Sequence, residues 1–150
     1  MLIRTHLAIT LCFVLLFISN VEHKIIFIAV ALFATFIPDI DYKFSTLGKK
    51  KILRILQFFV KHRGIFHSFT FLIVITLFFV LFFPIFALPL FLGYGLHLLA
   101  DSFTIEGITP FYPYRKKSLG RIKTGGRREI SVFVFFILID LGLLGWRIIG

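Results

Sequence analysis

Residues able to bind a metal are few in this chain, and they fall into short motifs. Of five His and seven acidic residues, seven lie in four places: His6 near the N-terminus, Asp39 and Asp41 in P-D-I-D, His62 and His67 in H-R-G-I-F-H-S, and His97 and Asp101 in G-L-H-L-L-A-D. His97 and Asp101 stand four apart, so on a helix they project from one face and could bind the same ion. Taken singly, each motif has a plainer explanation. His97 with Asp101 could be an interfacial His beside a helix-end acid, P-D-I-D an ordinary turn, and H-R-G-I-F-H-S a basic interfacial loop. Taken together, four segments deliver His or Asp to one region, where packed carboxylates must be paired or neutralised. A metal meets that need. Imidazole with carboxylate suits zinc first and manganese or iron next. Seven ligands exceed one tetrahedral site, so two zinc ions are expected, or three with added main-chain or water ligands. The single cysteine, Cys12, lies inside an apolar run and excludes both a disulfide framework and a Cys-based zinc site.

The elements that must carry these ligands are helices in a bilayer. Hydrophobic residues make up 59% of the 150, 22 of them Phe, and the mean hydropathy is +0.99. Such a chain is an all-α, polytopic membrane protein, expected as a single membrane-embedded domain over 1–150. The first apolar run, Leu7 to Ile18, has the outline of a signal peptide, but no small-x-small cleavage site follows, so it is expected as a retained helix. A second run, Ile25 to Ile37, stops at Pro38. The segment around I-L-R-I-L-Q-F-F-V, after Lys49-Lys50-Lys51, reads as an amphipathic helix lying at the interface. Phe69 to Ala100 would make one helix of about 48 Å, too long for a hydrocarbon core of about 30 Å. Pro84 and Pro89 therefore predict a hairpin of two short helices turning between them. Ile130 to Ile149 is the last span, giving about five short transmembrane helices.

Charge orients them. Seven Lys/Arg lie between Asp39 and His67 and seven more between Asp101 and Glu129, while the other connections carry almost none. The positive-inside rule predicts a multi-pass protein of the cell membrane, with the N-terminus, both basic segments and the ligand-bearing face in the cytoplasm. The net charge of +10 thus serves orientation and attraction to anionic membrane lipid. Nucleic acid ranks last as a partner, because the loops lack interleaved aromatics apart from Phe111, Tyr112 and Tyr114. A metal or proton transporter would need polar groups through the midplane, where Asp140 alone qualifies. A structural metal pinning short helices together is a further alternative.

The order His6, P-D-I-D, H-R-G-I-F-H-S and H-L-L-A-D-S-F-T-I-E-G followed by Tyr112-Pro113 resembles the YdjM-like family of membrane-bound, metal-dependent hydrolases. That family looks related to the zinc-dependent phospholipase C and single-strand nuclease superfamily. The resemblance implies that His6, Asp39, Asp41, His62, His67, His97 and Asp101 are metal ligands, with Ser68, Thr104 and Gly107 in support. The soluble enzymes of that superfamily use a processed N-terminal amine as a ligand, whereas here five residues precede His6. The last span, with Asp140, gains no role from the resemblance. The implied activity is hydrolysis of a phosphoester by a zinc-activated water, with Arg63 stabilising the developing negative charge. A phospholipid or other lipid-linked phosphate is the substrate expected at a bilayer face.

Overall fold

The structure is a computed structural model that describes residues 1–41, 65–114 and 116–149, with 40 and 41 as backbone only. Among them the fold is all-helical, without a strand. Five helices follow one another: α1 (Ile3–Phe17), α2 (Lys24–Ala34), α3 (Phe69–Phe82), α4 (Pro84–Ser102) and α5 (Arg127–Ile149), with 3₁₀ turns at Ile18–Asn20 and Pro38–Asp41. The segment expected to hold the interfacial amphipathic helix lies outside the described residues.

Among the described residues, three segments are long and apolar enough to cross a membrane: Ile3–Asn20, Pro84–Ser102 and Arg127–Ile149. The other two helices are apolar but shorter, with 11 and 14 residues. At the usual rise they measure about 16 and 21 Å, less than a bilayer core of about 30 Å. Their outward side chains remain apolar. Ile73, Val74, Leu77 and Leu81 on α3 are exposed, as are Phe135, Leu138 and Leu141 on α5, which is the surface a lipid environment wants.

Helix α4 is the hub. Ala34 of α2, Leu72 of α3 and Leu90, Tyr94 and Leu98 of α4 form one buried cluster, closed by Ile108 from the following loop. On the other flank, Leu96 and Ala100 pack with Ile9 of α1 against Val132 and Phe136 of α5. Gly93 lets α2 and α4 come together, because a Cβ there would meet the Ala31 carbonyl oxygen at 2.0 Å. Small residues at a helix crossing are how membrane helices gain van der Waals contact.

The hairpin between α3 and α4 is tighter than expected. It turns at Phe83 alone, with Pro84 in the first turn of α4, where a missing amide costs nothing. Pro89, expected in the turn, is instead buried inside α4, where the packed neighbours tolerate the lost hydrogen bond. A second difference concerns α1, which begins at Ile3. His6 therefore lies within the helix and not ahead of it.

Consecutive helices reverse direction, so the chain's ends alternate between two poles. Asn20, Val21, Glu22 and His23 meet Pro84, Ile85 and Pro89 around a cavity of about 350 Å³ at one pole. The start of α1, the end of α2, the start of α3, the end of α4 and the start of α5 gather at the other.

Candidate metal centre

Four elements bring five of the predicted ligands together at that second pole. His6 comes from the end of the first turn of α1, Asp39 from the 3₁₀ turn after α2, His67 from the stretch leading into α3, and His97 and Asp101 from the last turns of α4. All but Asp39 are buried to within 2% exposure, and the Asp39 side chain is 21% exposed. Of the five, Asp39 alone is partly exposed.

Local sequence explains each placement. Helix α2 ends where Pro38 approaches, and the turn that replaces it leaves the Thr35 carbonyl at a helix C-terminus, where acceptors lack intrahelical donors. His97 Nδ1 lies 2.7 Å from that carbonyl oxygen. A carbonyl only accepts, so Nδ1 carries the proton and donates. Nε2 is left with its lone pair, buried and without a hydrogen-bond partner among the described residues. A backbone carbonyl that fixes a tautomer in this way is the usual companion of a metal-binding His.

That lone pair faces carboxylates. His97 Nε2 is 3.8 Å from Asp39 Oδ1 and 3.9 Å from Asp101 Oδ2, while His67 Nε2 is 3.6 and 3.9 Å from the same two atoms. Ligand atoms around a tetrahedral zinc are about 3.3 to 3.5 Å apart, given bond lengths of about 2.0 to 2.1 Å. The four measured separations are only slightly wider.

Two overlapping groups, Asp39–His67–His97 and His6–His97–Asp101, each have donor atoms within 4.8 Å of one another and could hold a metal ion. Ring orientation separates them. His67 and His97 are inclined at 70° with centroids 5.8 Å apart, so their planes intersect and both lone pairs can meet one ion. His6 and His97 are stacked, 3.8 Å apart and 5° from parallel. An ion lies in the plane of each imidazole that binds it, and two parallel planes share no point. The His6 group as it stands therefore cannot serve a single ion through both rings, and His97 has one lone pair to give. His6 Nε2 has its own carboxylate oxygen instead, Asp101 Oδ1 at 3.2 Å. The two Asp101 oxygens thus face two different sets of donors.

The electrostatics agree with two carboxylates set among three imidazoles. Burial disfavours the charge on Asp39, but the neighbouring His67, His97 and His6 imidazoles hold its carboxyl below the ordinary range.

The supporting positions act on the backbone near the ligands. Ser68 caps α3, accepting from the Phe71 amide at 3.2 Å and donating to the Ile65 carbonyl at 2.6 Å. Thr104 Oγ1 donates to the Asp101 carbonyl at 2.7 Å and accepts from the Gly107 amide at 3.2 Å. Gly107 has φ +62, and a Cβ there would lie 1.8 Å from the Ser118 carbonyl oxygen, so no other residue fits. His62 and Arg63 lie outside the described residues, and Asp41 is described in its backbone alone.

Three contributors escaped the sequence reading. The Met1 amino group contacts Asp101 Oδ1, the Tyr94 hydroxyl donates to the Phe66 carbonyl beside His67 at 2.6 Å, and Glu129 ties the start of α5 to that of α1. Only Glu129 left a trace, since an acid at the third position of a helix is a capping signal.

The sequence model of the family described as YdjM inner membrane protein matches residues 1–149. The chain belongs to this family. No curated protein and no solved structure gives a significant match. YdjM family membership accords with the apolar helices and covers α5 as well as the four motif-bearing segments.

Proposed function

We propose that this YdjM family protein is a membrane-bound, metal-dependent hydrolase acting on a phosphoester, with a phospholipid or lipid-linked phosphate as substrate. The observation that carries it is the His97 Nε2 lone pair, fixed by the Thr35 carbonyl and aimed between Asp39 and Asp101 with His67 inclined beside it. In this reading His67, His97 and Asp39 would hold one ion and leave its fourth position to water, with Asp101 Oδ2 beside His67 and His97 as the acceptor for that water's proton. His6 and Asp101 Oδ1 form a second, poorer position. Zinc suits the donor set, with manganese or iron next. A bound zinc supplies a water acidic enough to act as a nucleophile near pH 7.

The chain's own residues supply the rest. Burial of four of the five donors keeps bulk water from the ligand atoms, and Asp39, the one partly exposed donor, marks the side from which a substrate phosphate would approach. Arg63, three residues ahead of Phe66, is the cation assigned to the developing charge. The basic segments orient the site to the cytoplasmic side and attract anionic headgroups.

The same convergence of four elements also favours a second reading, a structural metal that pins short helices together. Hydrolysis of phosphodiesters, phosphomonoesters and phospholipid by the purified protein, followed through the alcohol and the phosphomonoester or phosphate released, separates the two. Turnover that a chelator removes and zinc restores is expected. Bound metal with no turnover on any phosphoester favours the structural role.

A further inference from the structure

Glu129 stands apart from the ligand cluster, on the helix that the motifs do not reach, and it is 1% exposed. A buried carboxylate needs strong partners. Its Oε1 accepts from the Leu2 amide and from Thr5 Oγ1, the latter at 2.9 Å. Its Oε2 accepts from the amide of Gly125, which has φ +74. The first partner is the residue that caps α1, a helix with no side-chain cap of its own. One carboxylate thereby serves the starts of two helices, where orphan amides and the positive end of the helix dipole both favour an anion.

The two α1 partners are neighbours of the centre. Thr5 immediately precedes His6, and Leu2 immediately follows Met1, and both His6 Nε2 and the Met1 amine lie on Asp101 Oδ1. We infer that Glu129 is a positioning residue for the metal centre, fixing the first turn of α1 so that His6 is held against Asp101. This rests on the metal reading of the cluster, but the placement of His6 can be read without metal. Packing of α1 on α5 is carried separately by Ile9, Phe13, Val132 and Phe136, so the helices do not depend on Glu129 to associate.

The test uses the full chain in detergent, with helicity checked by circular dichroism. In metal-free protein, carbethoxylation of His6 by diethyl pyrocarbonate is followed by peptide mass. Glu129→Ala is expected to speed His6 modification about tenfold through local opening of the α1 start. Glu129→Gln retains the acceptor for Leu2 and Thr5, so His6 stays close to its wild-type rate. In a zinc titration, Glu129→Ala weakens the second, weaker binding step by about tenfold and leaves the first intact. Thr5→Val removes one of the bonds and shifts His6 in the same direction by less, which keeps the claim testable if Glu129→Ala does not fold. His6 reacting at the wild-type rate in folded Glu129→Ala, or in Thr5→Val where that variant alone folds, overturns the inference. Absence of zinc binding in wild type overturns the metal reading, while His6 protection still decides whether Glu129 holds α1.

Discussion

Asp101 and Asp140 are both carboxylates buried to 2% exposure on helices long enough to cross a bilayer. Their surroundings differ. Asp101 has the Met1 amine, His6, His67 and His97 within reach of its two oxygens. Neither Asp140 oxygen has a hydrogen-bond partner among the described residues. Burial of an acid in an apolar helix therefore does not define a site. A site needs other segments to bring compensating donors to the same point, and that requires the alternating helices to end together at one pole.

The largest expected effect comes from the residue with one fixed lone pair. His97→Ala removes a ligand and leaves the Thr35 carbonyl without its donor, so metal affinity and any metal-dependent turnover are expected to fall by at least about 100-fold, measured by zinc titration against a competing chelator. Asp101→Asn keeps the shape but removes the charge shared by the two donor sets, and a loss of about 10- to 100-fold is expected in the same titration. His6→Ala should weaken only the second binding step. If His6→Ala matches His97→Ala, the separation drawn from ring orientation is wrong.

Asp140 should respond in the opposite sense. Asp140→Leu removes a buried group without a partner, and thermal unfolding in detergent is expected to show a gain of about 1–3 kcal/mol with metal content unchanged. Metal lost from Asp140→Leu would erase the contrast between the two carboxylates. The smallest effect is that of pH on the metal-free protein through Asp39. Its carboxyl is held below its ordinary value in the fold, so its contribution to stability is complete above the ordinary carboxylate range and fades as pH falls through the lowered value. Thermal unfolding is thus expected to show no Asp39-dependent change above about pH 5, wild type against Asp39→Asn, and convergence of the two only in stronger acid.

Much of this architecture is legible in the sequence because its rules are local. Apolar runs and Pro38 and Pro84 mark helices and their ends, and the four-residue spacing of His97 and Asp101 places both on one face of α4. The His and Asp motifs were also readable as a set. What the sequence does not carry is how side chains meet across helices. The Thr35 carbonyl fixes the His97 tautomer from 62 residues away, and the stacking of His6 on His97 divides one ligand list into two unequal groups. Pro89 reads as a turn, yet it lies buried inside α4. Glu129 reads as a loop acid and proves to be a strut, because its partners at Leu2 and Thr5 lie at the far end of the chain.

The central claim is that His67, His97, Asp39 and Asp101 form a metal-binding centre. Metal content per chain, measured by mass spectrometry on protein purified in detergent without chelator, tests it most directly when wild type and His97→Ala are compared. At least one tightly held ion per wild-type chain, lost in His97→Ala, is the expected result. Substoichiometric metal in wild type after zinc loading, or equal metal in both proteins, would contradict it.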